Sequence, residues 1–216
     1  MDKPTDWSAR SDLVGTVDFT MMFAAHDAFS RDIARMITAC KSGRALAPEN
    51  TAAWDRFKRF LLLRHRTEDT VLFLPLRAAV DDPLDLDMLA AMDVEHARID
   101  PLLDLIDAAL ADADYGGALV ALHESAEELG AHMRHEERRA LPLLEARLGR
   151  AGWDAFGRSI RKEQGLRGAA EYLPWLLDDA PSALIAAVLK QLPLPARVLY
   201  RRVWAPRYHS PARAAA

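Results

Sequence analysis

Four rows of residues at alternating three- and four-residue spacing leave this chain little choice but a helical bundle. The first row reads Phe19, Met22, His26, Phe29, Ile33, Met36 and Cys40, inside a helix expected from Asp12 to Cys40. The second, from about Thr51, reads Trp54, Phe57, Leu61, His65, Asp69 and Leu72. The third is Leu89, Met92, His96, Ile99, Leu103, Ile106 and Leu110; the fourth is Leu122, Ala126, Leu129, His132, Glu136, Ala140 and Leu143. Such spacing places each row on one face of an α-helix. Breaks fall between the rows at Gly43, Pro48 and Asn50, at "DDPLD" (81–85), at Gly116 and Gly117, and at Gly149 and Gly152. No strand-like alternation competes. Long helices joined by short loops predict an all-α, up-down-up-down four-helix bundle over residues 1–150.

The composition changes beyond residue 150. Segment 151–216 reads as a short helical extension with a basic tail: no acidic residue follows Asp179, whereas Lys190, Arg197, Arg201, Arg202, Arg207 and Arg213 are cationic. A solvated tail is the simple reading. Contact with an acidic partner or a membrane surface is the sharper one, with Trp204 and Tyr208 among the arginines. The net charge of −4 gives no reason to expect nucleic-acid binding. Cys40 is the lone cysteine, and no apolar run is long enough to span a bilayer. With no basic, apolar signal at the N-terminus, these features predict a cytoplasmic protein.

Each of the four rows carries one histidine where an apolar side chain belongs: His26, His65, His96 and His132. In two rows a carboxylate follows four residues on, Asp69 after His65 and Glu136 after His132, on the same helical face. Aligning Pro142 on Pro75, 67 positions apart, superposes His132 on His65 and Glu136 on Asp69, as if the chain were two copies of one unit. Uncompensated burial of carboxylates is costly. No arginine or lysine lies on the rows themselves to neutralise them, so a pair of cations is the economical partner for six inward side chains. Mixed imidazole and carboxylate donors suit iron, manganese or zinc, and structural zinc is more often thiolate-bound. The ferritin-like pattern of Glu-x-x-His pairs is not met, since Asp93-x-x-His96 is the nearest approach.

The ordered set of His26, His65-x3-Asp69, His96 and His132-x3-Glu136 over residues 12–148 resembles the hemerythrin-like, or HHE cation-binding, family. The resemblance implies a non-haem centre of two iron ions bridged by Asp69 and Glu136, which binds dioxygen or handles peroxide or nitric oxide, or senses oxygen or iron. The chain has one family-position histidine fewer than the oxygen carriers, and His135 or Glu68 are the candidates for an extra ligand, each expected on the exposed flank. His123 and His209 are expected at the surface. Phe19, Met22, Phe29 and Phe73 are expected to keep water from the centre. A small oxidant such as dioxygen or peroxide is the expected ligand. The alternative is a sensor whose C-terminal extension signals to a protein partner, and a metal-free helical scaffold is the remaining possibility.

Overall fold

The computed structural model describes residues 15–209, and among these there is no strand. Helix α1 spans Thr20–Lys41, where Asp18 Oδ1 accepts the Thr20 N–H and residues 15–19 are non-helical; the expected start at Asp12 lies outside the described residues. Helix α2 spans Pro48–Thr67, with Pro48 in the first turn, where a missing N–H costs nothing. A wide-turn π segment, Glu68–Phe73, and a short α3, Leu74–Ala78, continue the same run. Helix α4 covers Pro83–Ala111, capped by the Asp82 carboxylate on the Leu84 N–H. Helix α5 covers Tyr115–His135 and continues through a second π segment, Glu136–Ala140, into α6, Leu141–Arg147.

The two π segments have a common cause. Pro75 and Pro142 each lack an N–H and crowd the carbonyl four residues back. The turn before each proline widens instead: the Leu74 N–H reaches Asp69 O and the Leu141 N–H reaches Glu136 O, both five residues back. Both wide turns begin at a glutamate that belongs to the site.

Segment 151–209 completes the core. Helix α7, Gly149–Leu176, breaks at Gly165, whose φ of 61° suits glycine. It is followed by α8, Ser182–Gln191; α9, Leu194–Leu199; a π segment, Tyr200–Trp204; and α10, Ala205–Tyr208. Trp175 is fully buried beside Phe29 and Phe60, and its indole N–H donates to Asp32 Oδ2 at 2.6 Å. Arg213 of the basic tail lies outside the described residues.

The core is divided into two apolar clusters. One holds Phe29, Phe57, Leu61, Ile99, Leu103, Leu129 and Trp175; the other holds Met22, Phe23, Leu72, Phe73, Leu89, Met92, Ala140 and Leu141. On every histidine-bearing helical run the change of cluster falls close to the histidine: between Phe23 and Ala24, Leu61 and Leu72, Met92 and Ile99, Met133 and Ala140. The polar side chains therefore form a layer with apolar packing above and below.

Candidate metal centre

His65, His96 and His132 are buried, and their ring nitrogens lie within 4.8 Å of one another. Glu68, His132 and Glu136 form a second such group, so His132 joins the two. The imidazoles are held by their outer nitrogens. His65 Nδ1 lies 3.0 Å from Asp100, His96 Nδ1 2.8 Å from Asp69, and His132 Nδ1 2.9 Å from Glu95. A neutral imidazole donating from Nδ1 to a carboxylate presents a bare Nε2 lone pair inward, the arrangement seen behind metal-bound histidines.

The inner atoms lack partners. His65 Nε2, Glu68 Oε2 and Glu136 Oε1 are buried without a hydrogen bond among the described residues. His96 Nε2 and His132 Nε2 face each other at 3.1 Å, which two lone pairs do not tolerate without a proton or a cation between them. Burial pushes the His65 imidazole well below its ordinary pKa, reinforced by His96 and His132, and burial likewise lowers His132. Burial also works against His96, but the Asp69 hydrogen bond and nearby carboxylates outweigh it, so His96 gains a proton more readily. Burial raises the Glu68 carboxyl to about 7 despite Arg64, whereas Arg64 and His26 hold Glu136 well below the usual carboxylate range against its burial. A cation bound there competes with a proton on Glu68 or His96, both of whose pKa values are raised. Metal affinity is expected to climb as pH rises through neutrality, because each binding event displaces that proton. Competition titration against a chelator checks this, and a pH-independent affinity would contradict it.

The residues expected from the sequence are brought together in part. His65, His96, His132 and Glu136 converge. His26 is buried at the edge: its Nε2 lies 3.0 Å from Glu136 Oε2, and its Nδ1 2.6 Å from Glu137. Asp69 does not join them; its side chain is 42% exposed, behind His96, and Glu68 takes the inward place. Positions three and four residues past a histidine flank the same row, and the rotation of the helix about its axis selects between them. In the second run His132, Met133, Glu136 and Glu137 are buried; in the first, Arg64, His65, Thr67 and Glu68 are. The first buried set is displaced by one residue, turning Glu68 in and Asp69 out.

The same rotation buries Arg64, which a reading confined to single rows passes over. Its Nε donates to Glu68 Oε1, and its Nη2 donates to Glu136 Oε2 at 2.6 Å and also contacts His26 Nε2. The expectation that no basic side chain neutralises the core carboxylates is therefore corrected. His135 stays on the flank, sharing Glu95 with His132, and His123 and His209 are exposed as expected. Glu95 thus positions His132, and Glu95→Ala is expected to weaken metal binding about 10- to 100-fold, read by the same chelator competition. An unchanged affinity would remove that role. A cavity of about 620 Å³ beneath α7 and α9, lined mainly by apolar residues including Met22, Phe29 and Trp153, also reaches Arg64.

An all-helical core whose buried imidazoles and carboxylates form two adjoining donor groups sharing His132 defines a cation-binding class of helical protein. Residues 17–144 match the hemerythrin HHE cation-binding domain, and the chain belongs to that family. No curated protein and no solved structure gives a significant match. No helix among the described residues is long and apolar enough to cross a membrane.

Proposed function

We propose that the four histidine-bearing runs form the up-and-down hemerythrin-type bundle and hold iron at His65, His96, His132, Glu68 and Glu136, where a small oxidant, dioxygen or peroxide, is bound or reduced. The observation that carries this reading is the set of inward, unpartnered His65 Nε2, Glu68 Oε2 and Glu136 Oε1 atoms in a water-poor layer, each imidazole fixed from behind by a carboxylate. Three imidazoles and two carboxylates suit iron or manganese. Iron bound there would supply one-electron redox chemistry. The chain's own part is to fix the donor geometry, to exclude bulk water with Phe29 and Phe73, and to hold protons on the outer carboxylate–imidazole pairs. His132→Ala removes the donor common to both groups. Wild-type protein loaded with ferrous iron without oxygen is expected to retain it through desalting and to change its optical spectrum on adding peroxide or dioxygen. Retention by His132→Ala equal to wild type, or an unresponsive spectrum, would count against the reading.

A second reading, a metal-responsive module acting on a protein partner, is favoured by one feature: α7 packs directly against the π segment that carries Glu68. Metal held by Glu68 would stiffen that segment and, through it, the C-terminal helices. Limited proteolysis between residues 160 and 209 is expected to slow on metal loading; equal cleavage would argue against this role. Both readings are compatible with a cytoplasmic setting.

A further inference from the structure

We propose that this centre takes a single metal ion, with the Arg64 guanidinium standing as a built-in second cation. The inference rests on the metal-centre reading and concerns how many ions that centre admits.

The two inner carboxylates each divide their oxygens. Glu68 gives Oε1 to Arg64 Nε, and its Oε2 is unpartnered, 3.7 Å from His96 Nε2. Glu136 gives Oε2 to Arg64 Nη2 and leaves Oε1 unpartnered, and its carboxylate lies within 4.8 Å of a His132 ring nitrogen. Each glutamate therefore reaches a cation with one oxygen and the histidine cluster with the other, as a carboxylate bridging two positive centres does. On the cluster side no arginine or lysine among the described residues bonds the free oxygens. On the other side the guanidinium supplies the positive centre.

A second metal that drew on His26, the one row histidine outside both donor groups, would need the space between His26 Nε2 and Glu136 Oε2, which lie 3.0 Å apart. Arg64 Nη2 is within contact of both atoms. The guanidinium does not deprotonate in proteins, so it cannot become a ligand, and it repels an incoming cation. Its position is secured from three sides: by the carboxylates, by His26, and by the Phe29 ring, whose centroid lies 5.9 Å from Arg64 Cζ. His26 then serves as a polar partner of Arg64 and Glu136 and is not a ligand, and the two-iron stoichiometry expected from the sequence does not fit these residues.

The test loads wild-type protein with manganese(II) without oxygen, desalts it, and combines elemental analysis with electron paramagnetic resonance. One manganese per chain with an uncoupled six-line signal is expected. His26→Ala is expected to keep one ion, while His132→Ala loses it. Two ions per chain with an exchange-coupled signal would overturn the proposal, showing that Arg64 swings away; this wild-type result decides the matter even if His26→Ala fails to fold. Loss of the ion from a folded His26→Ala variant would also overturn it. Wild-type protein retaining no manganese or iron would overturn the metal-centre reading itself, and this inference with it.

Discussion

Truncating Trp175 to alanine is expected to lower the free energy of unfolding by roughly 3–5 kcal/mol. The indole is fully buried, packs at 5.1 Å on Phe29 and 4.7 Å on Phe60, and lies beyond the family-matched region. Its removal opens a void that α1, α2 and α7 would all have to collapse to fill. The Asp32 carboxylate would lose the indole donor but keep Arg31 at 2.8 Å, so the expected loss is chiefly one of packing. Because Phe29 also backs Arg64, the same change should loosen the guanidinium. Chemical denaturation followed by circular dichroism, in the absence of metal, measures the effect. A loss below about 1 kcal/mol would mean that the C-terminal helices only decorate a helical core that is stable without them.

Metal loading is expected to stabilise the folded protein by about 4 kcal/mol once free metal exceeds its dissociation constant a thousandfold. The layer containing His65 Nε2, Glu68 Oε2 and Glu136 Oε1 holds buried polar atoms that cost about 1–3 kcal/mol each while they lack partners. A cation bound there would satisfy them together, and the unfolded chain offers no assembled equivalent. The thermal midpoint of wild-type protein should therefore rise with iron or manganese concentration, while that of His132→Ala stays nearly flat. A midpoint unaffected by metal would mean that the orphaned atoms are satisfied in some other way.

The rows identified the four buried histidines and Glu136 because 3.6-residue periodicity fixes which face a residue shares with its neighbours. They did not identify Glu68 over Asp69, or Arg64, because periodicity leaves the rotation of each helix against its partners undetermined by about one residue. Only packing decides that, and a shift of one position exchanges Asp69 for Glu68 and draws Arg64 in with it. Aligning the two halves on Pro75 and Pro142 matched the wide turns but not the carboxylates: Glu68 and Asp69 play the parts of Glu136 and Glu137, one residue out of step. The parallel extends to the outer pair, since Asp69 supports His96 as Glu137 supports His26. A better clue was available in the spacing of Arg64 and Glu68, an i,i+4 pair of opposite charge ahead of an apolar run. The place of Trp175 between Phe29 and Phe60 was beyond reach, because it depends on how segment 151–209 folds back.

Crystals of iron-loaded protein measured at the iron absorption edge test the metal-centre reading most directly. The expected result is one anomalous peak bounded by the Nε2 atoms of His65, His96 and His132 and the free oxygens of Glu68 and Glu136. A peak at surface carboxylates alone, or none inside the layer at full iron loading, would contradict it.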